Sequence, residues 1–462
     1  MPTNYAHIAL QRFAYGAGQA AAPILSNSKT RSQAQAWLLS QLSSYAINTK
    51  SEWSSEQAIQ AFYKYRQRLR EAKNDKQALK STKTFRRECL NQAVQLGEGI
   101  VHSAIETSQP LQARLTDFFA NHFSVSRGNL LMSMLAPTLD TEAIAPNVNQ
   151  HFSSMLRSVI QHPAMIIYLN NEFSVGPNSR FVRLAKKNNK LRGLNENLAR
   201  EILELHTLGV NGGYQQQDVI ELAKALTGWT IGRGRKGEPT GFEYRKAAHE
   251  PGKRKILGVE YSQGDTNSPE QGEGILDALA KHPSTIRHVC TKLARHFISD
   301  NPSSGLINAL TKAWRASSGH IPSVVKALIE HPDSWRKEQH KFKTPREMLI
   351  STYCCFGVLP PSPSIFKSLD LLGQGINNAR SPAGYPDTAE KWSGSSALMT
   401  RIEWANHVAK QVKSEKKKHI LKELEVLLGS NASAHTLSHI RRAESVQQAY
   451  VLFIMSPEFQ RR

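Results

Sequence analysis

No apolar run in the chain approaches the ~18 residues of a membrane-spanning helix, so no transmembrane segment is expected. Cysteine is scarce. Cys89, Cys290, Cys354 and Cys355 form no Cys-x-x-Cys pair, which removes a disulfide framework and leaves buried free thiols as the expectation. Negative charge is also short, with 38 Asp and Glu against 59 Lys and Arg. No repeat of about 20–50 residues recurs, which excludes a solenoid. There is no Gly-x-Ser-x-Gly nucleophile elbow. There is no His-Glu-x-x-His pair either, and Gly232-Arg-Gly-Arg-Lys-Gly lacks the Lys-Ser/Thr ending of a phosphate loop. Met1 to Arg12 carries no charged-then-apolar export pattern. The expected location is therefore the cytoplasm, with a periplasmic or exported location as the alternative if a leader precedes this sequence.

The formal net charge of +21 is the strongest compositional signal. Such a chain attracts polyanions, whether anionic polysaccharide, nucleic acid or an acidic membrane surface. Its densest helical expression lies in residues 53–106. There Phe62, Tyr63, Tyr65, Leu69 and Ala72 alternate with Lys64, Arg66, Arg68 and Arg70, and Asn74-Asp75 marks a break between two helices. A second basic run covers Lys413 to Lys418.

Across the 462 residues the apolar spacing is helical and no linker stands out. The expected fold is mainly α, one large multi-helix domain over 1–462. Basic helices occupy 1–106, a core occupies 107–357, and a Pro/Gly-rich segment with terminal helices occupies 358–462. Irregular insertions fall at 232–274 and 358–398, with at most a small β-hairpin having Ile256–Tyr261 as an edge. Leu111, Leu115, Phe118 and Phe119 form a buried stripe leading to His122. His162-Pro163 breaks one helix, His282-Pro283 restarts another, and Thr344-Pro345 reads as an N-cap with a proline at the first helical position.

The densest chemistry lies in Gly193 to Trp229. Asn195 can cap a helix over Asn197–Leu208. Leu198, Ile202 and Leu205 share its apolar stripe; Asn197, Glu201 and Glu204 lie on one flank, with His206 on the other. Arg200 and Glu204 are spaced for an i,i+4 ion pair. Gly209 ends the helix, and a second one, about Gln216 to Thr227, stacks back through Val219, Leu222, Ala223 and Leu226. The basic stretch Lys186 to Arg192 leads into it as a mobile loop.

Two readings follow. In the first the stretch is an active site, hydrolase-like, with Glu201 as acid–base group because burial beside the stripe raises its pKa. Glu204, His206, Asn195, Asn197 and Arg200 complete it. His122, His206, His249 and Glu201 are candidate ligands for a divalent metal such as zinc or iron. In the second reading the stretch is structural, and the protein is a binding or assembly protein holding an anionic polysaccharide or partner protein on its basic surface. Sequence-specific DNA binding is not expected, because Asp218 and Glu221 on the second helix would repel phosphate.

Several segments together resemble one bacterial family, "domain of unknown function 1800". They are Asn121-His-Phe-Ser-Val-Ser126, the long run from Gly193 to Tyr214, Leu226-Thr-Gly-Trp229, His282-Pro-Ser-Thr, Lys292-Leu-Ala-Arg295, Lys343-Thr-Pro and Gly384-Tyr-Pro. The resemblance spans about residue 7 to the C-terminus. It implies no activity. It implies a neighbouring companion protein resembling the phosphatase and sulfatase group, and export in many members. Where the family pattern has a histidine, a His-Asp pair and an aspartate, this chain has Ala120, His249-Glu250 and Asn170.

Overall fold

Helix starts are set by short capping motifs. At Ser54 and Thr344 a hydroxyl accepts from the third helical N–H while Gln57 or Glu347 accepts from the cap N–H in return. Three His-Pro pairs do similar work with an imidazole. The Nδ1 atoms of His162, His282 and His331 accept from the N–H groups of Ala164, Ser284 and Asp333 at 3.1, 3.2 and 3.2 Å. The proline after each histidine occupies the first helical position, where a missing N–H costs nothing. The same dipeptide therefore stops one helix and starts the next.

This computed structural model describes residues 4–16, 24, 30–73, 75–185, 193–234, 239–264, 268–338, 341–357, 359–361, 364–411 and 432–462. The runs Lys186–Arg192 and Lys413–Lys418 lie outside them. The fold is mainly α. Helices Ser55–Ala72 and Lys76–Glu106 pack as a hairpin, as do Ser304–Ala316 and Ile321–Glu330, and Ser395–Ala409 packs against Val446–Ile454. Among the described residues no helix is long and apolar enough to cross a membrane.

Two antiparallel hairpins interrupt the helices, one more than the spacing predicts. Trp229–Arg233 pairs with Thr240–Tyr244, and Arg254–Ile256 pairs with Val259–Tyr261 through a turn at Leu257-Gly258. Asn171, fully buried, ties the first hairpin to the helical body. Its Nδ2 donates to the carbonyls of Leu226 and Trp229 at 3.1 and 2.9 Å.

The apolar interior has two main clusters. The larger runs from Ala6 to Trp335 and includes Phe119, Phe123, Phe152, Leu198 and Ile202. The smaller joins Ala113, Met348, Trp404 and Phe453. Helix Pro110–His122 contributes to both, through Phe118 and Ala113. Between them sits a buried ion cluster: Glu347 Oε1 lies 2.6 Å from Arg114 Nη2 and 2.6 Å from Arg462 Nη2.

Candidate functional site

The central helix departs from its expected phase. It is α-helical only over Asn197–Glu201 and continues as a π-turn over Ile202–His206. A π-turn takes in one extra residue, and such turns recur at functional positions. The consequence is a rotation. Leu198, Ile202 and Leu203 face the core as a stripe, but Leu205 turns half outward and His206 becomes fully buried. Thr207 closes the turn by donating its hydroxyl to the Ile202 carbonyl at 2.6 Å. Gly209 is required twice over. Its φ is +87°, and a Cβ there would come within 2.8 Å of His288 Nδ1.

Asn195 is not the cap that its spacing predicts; the N-cap residue is Glu196, and Asn195, one residue earlier, supports the start with Oδ1 accepting from the Asn197 N–H at 2.9 Å. Arg200 does not pair with Glu204. It reaches back to Glu196 at 3.0 Å and to Gln216 Oε1 at 2.9 Å, because Glu196 lies one turn earlier and the π-turn carries Glu204 off that line. Glu204 instead accepts from the Tyr214 hydroxyl at 3.3 Å. Glu201 is half-buried; burial, then the nearby Glu204, raises its pKa above the usual carboxylate value.

The histidines part company. His122 and His206 adjoin, with ring centroids 6.2 Å apart, and His288 lies 6.2 Å from His122. His122 Nε2 lies 3.1 Å from the carbonyl of His206, which fixes the proton on Nε2 and leaves Nδ1 to accept from Lys292 Nζ at 3.0 Å. His288 Nε2 donates likewise to the Leu205 carbonyl at 3.2 Å. Neither ring nitrogen of His206 has a hydrogen-bond partner among the described residues. Burial, with Lys292 close by, pushes His122 well below its ordinary value, His206 to about 3 and His288 to about 4. Burial also lowers Lys292 to about 8. The seam is thus made of neutral imidazoles and a lysine with a weakened hold on its proton.

His249 belongs elsewhere. Its Nδ1 donates to the Thr227 carbonyl at 2.9 Å and its ring meets Tyr244. Glu250 accepts from the backbone N–H and from Nδ2 of Asn178, each at 2.7 Å, and so pins a loop. The expected metal set of His122, His206, His249 and Glu201 is therefore not assembled. His122 has both nitrogens engaged and His249 is held at the first hairpin. Among the described residues no three His, Cys, Asp or Glu side chains are placed to hold a metal ion.

Sequence reading passed over His288 as a site residue and met Lys292 only within a family motif. The signal was present, since His288, Lys292 and His296 recur at i, i+4 and i+8 on helix Pro283–Phe297 and so share a face. His296 turns to Asp387 at 3.1 Å and Phe118 stacks between it and His122.

Two concavities are prominent. One, of about 100 Å³, is walled by Tyr15, Asp117, Asn121, Asp140, His296, Arg346, Glu347, Asn377, Tyr385 and Asp387. The other is a groove of about 1350 Å³ along helix Ser55–Ala72, opposite Asn129–Leu131 and Asn170–Phe173. Lys64, Arg66, Arg70 and Arg233 line it with Phe62, Tyr63 and Phe173, and among the described residues Glu172 is its one carboxylate. The Arg66 guanidinium lies over the Phe62 ring at 5.9 Å and that of Arg233 over Tyr63 at 5.2 Å. A shallow depression over Gly193–Asn197 shares Phe173 with the groove, so the cap of the central helix adjoins its end.

The chain belongs to the family described as a protein of unknown function (DUF1800), which matches over residues 8–461. No curated protein matches it, and no solved structure does.

Proposed function

We propose that the protein binds an anionic polymer, in the first place an anionic polysaccharide, in the groove along helix Ser55–Ala72. The observation that carries this reading is the lining: among the described residues four cations, Lys64, Arg66, Arg70 and Arg233, stand against the single carboxylate of Glu172. An elongated concavity of one sign focuses its field on a polyanion and offers successive contacts along a chain. Guanidinium groups suit sulfate or carboxylate because their N–H donors match two oxygens at once. The net charge of +21 adds long-range attraction without setting the site. Nucleic acid is less well matched. Single-strand binding relies on open aromatic faces for base stacking, and guanidinium groups already lie over Phe62 and Tyr63.

The test is binding of a sulfated oligosaccharide to the whole protein by fluorescence anisotropy across salt concentrations. Four groove contacts at about 0.7 released counterions each give a log–log salt slope of about −3. Replacing Lys64, Arg66, Arg70 and Arg233 by Gln is expected to flatten the slope by that amount. An unchanged slope in the variant, or tighter binding of single-stranded DNA than of the oligosaccharide, would overturn the reading.

A further inference from the structure

We infer that the smaller cavity, beside Asp140 and Asn377, is a binding site for the ammonium head of a small primary amine. It stands apart from the basic groove. The argument begins with its wall, where three of the four carboxylates are already matched. Asp117 accepts from Arg346 Nη2 at 2.7 Å and from the Tyr15 hydroxyl. Glu347 is held by Arg114 and Arg462. Asp387 is held by His296 and Lys341, each at 3.1 Å. Asp140 is the exception. It opens a π-turn, Asp140–Ile144, and lines the cavity, and its carboxylate has no hydrogen-bond or ion-pair partner among the described residues.

A second acceptor is left over in the same wall. Asn377 Oδ1 is buried with no hydrogen-bond partner among the described residues. Its backbone sits in the left-handed region at φ 46°, a conformation that Asn tolerates better than most residues. The buried Asn377 acceptor without a donor costs of the order of 1–3 kcal/mol, and the half-buried Asp140 carboxylate in the same wall has no cation within ion-pair distance among the described residues, so the two together favour a ligand rich in donors. An ammonium group supplies three N–H donors and the positive charge that Asp140 lacks. A hydroxyl supplies one donor and no charge. The volume of about 100 Å³ has room for a small head group. The charged groups facing Asp140 are Arg346 and Asp117, with His296, Asp387, Glu347 and Tyr15 on the other walls. Burial, then Asp117 against Arg346, raises Asp140 to about 7, the direction expected of a carboxylate without its cation.

The test is calorimetric titration of the whole protein with ethylammonium chloride at pH 8, beside ethanol as the neutral probe of equal size. Tetramethylammonium serves as a cation without donors. Ethylammonium is expected to bind at least tenfold more tightly than either control. Asp140→Asn is expected to lose at least tenfold and Asn377→Ala a smaller factor, with polyanion binding unchanged in both. If Asp140→Asn does not fold, the wild-type protein still decides. Its affinity for ethylammonium is expected to fall at least tenfold between pH 8 and pH 5.5, as Asp140 takes up its proton. Equal binding of ethanol, full binding by folded Asp140→Asn, or no pH dependence would overturn the inference.

Discussion

Glu347 holds two buried guanidinium groups at once, so Glu347→Gln is the sharpest stability test of the fold. One oxygen receives Arg114 and Arg462 at 2.6 Å each, and the other accepts from the Thr344 N–H at 2.8 Å. The side chains of Arg114 and Arg462 are 1% and 0% exposed, so neither has water to turn to. Burial alone would raise the carboxyl, but Arg462 and Arg114 outweigh it and hold Glu347 well below the usual carboxylate range. Glutamine keeps the shape and can keep the cap, but it removes the charge. Breaking a buried pair on one side costs about 3–5 kcal/mol, and that is the expected loss in urea denaturation of the full chain. The pH dependence has a definite sign. A depressed folded pKa gives stability that is complete above the unfolded value of about 4.3 and is lost as pH falls through the lower folded value. Wild type and variant should therefore differ by a constant amount from pH 5 to 8 and converge only in stronger acid. A loss below about 1 kcal/mol, or convergence already at pH 5, would refute the role given to this cluster.

Other expectations are narrower. His206→Leu should leave the urea midpoint unchanged or raised, since it removes a buried imidazole whose nitrogens have no hydrogen-bond partner among the described residues. A fall of more than about 2 kcal/mol would show that the imidazole makes a stabilising contact of its own. Gly272→Ala should cost about 1–3 kcal/mol in the same assay, because its Cβ would come within 2.6 Å of Trp229 Cζ2. Asp140 has a folded value raised to about 7, so it withdraws stability as pH rises from about 4 to 7. Asp140→Asn should therefore gain on wild type at pH 8 relative to pH 4, read from melting temperatures at the two pH values.

Much of the scaffold was legible because it depends on local rules. The Thr344 capping box, the His-Pro restarts and the hairpin break near Asn74-Asp75 each need only a few adjacent residues. The helix–hairpin look of Gly193–Trp229 was legible for the same reason. Its phase was not. The period of 3.6 residues places Leu205 inside and His206 on a flank, and one π-turn exchanges them. That turn follows from tertiary packing around Ile202, Phe123 and His288, which no local pattern encodes. Ion-pair choice was obscured in the same way, since Glu196 and Glu204 both lie four residues from Arg200. The metal candidates shared a residue type rather than a place: His249 is fixed at Thr227, while His122 faces Lys292. Asp140 and Asn377 carry no motif. Only the closing of the chain around one cavity brings them together.

Hydrogen exchange on the whole protein reads out whether the basic groove is the polymer site. With a saturating sulfated oligosaccharide, amides in Gln60–Arg70, Asn129–Leu131, Asn170–Phe173 and Arg233–Gly234 are predicted to gain protection together, while the Asp140 cavity stays unchanged. Protection spread evenly over the basic surface, or confined to segments away from the groove, would show that the polymer binds elsewhere.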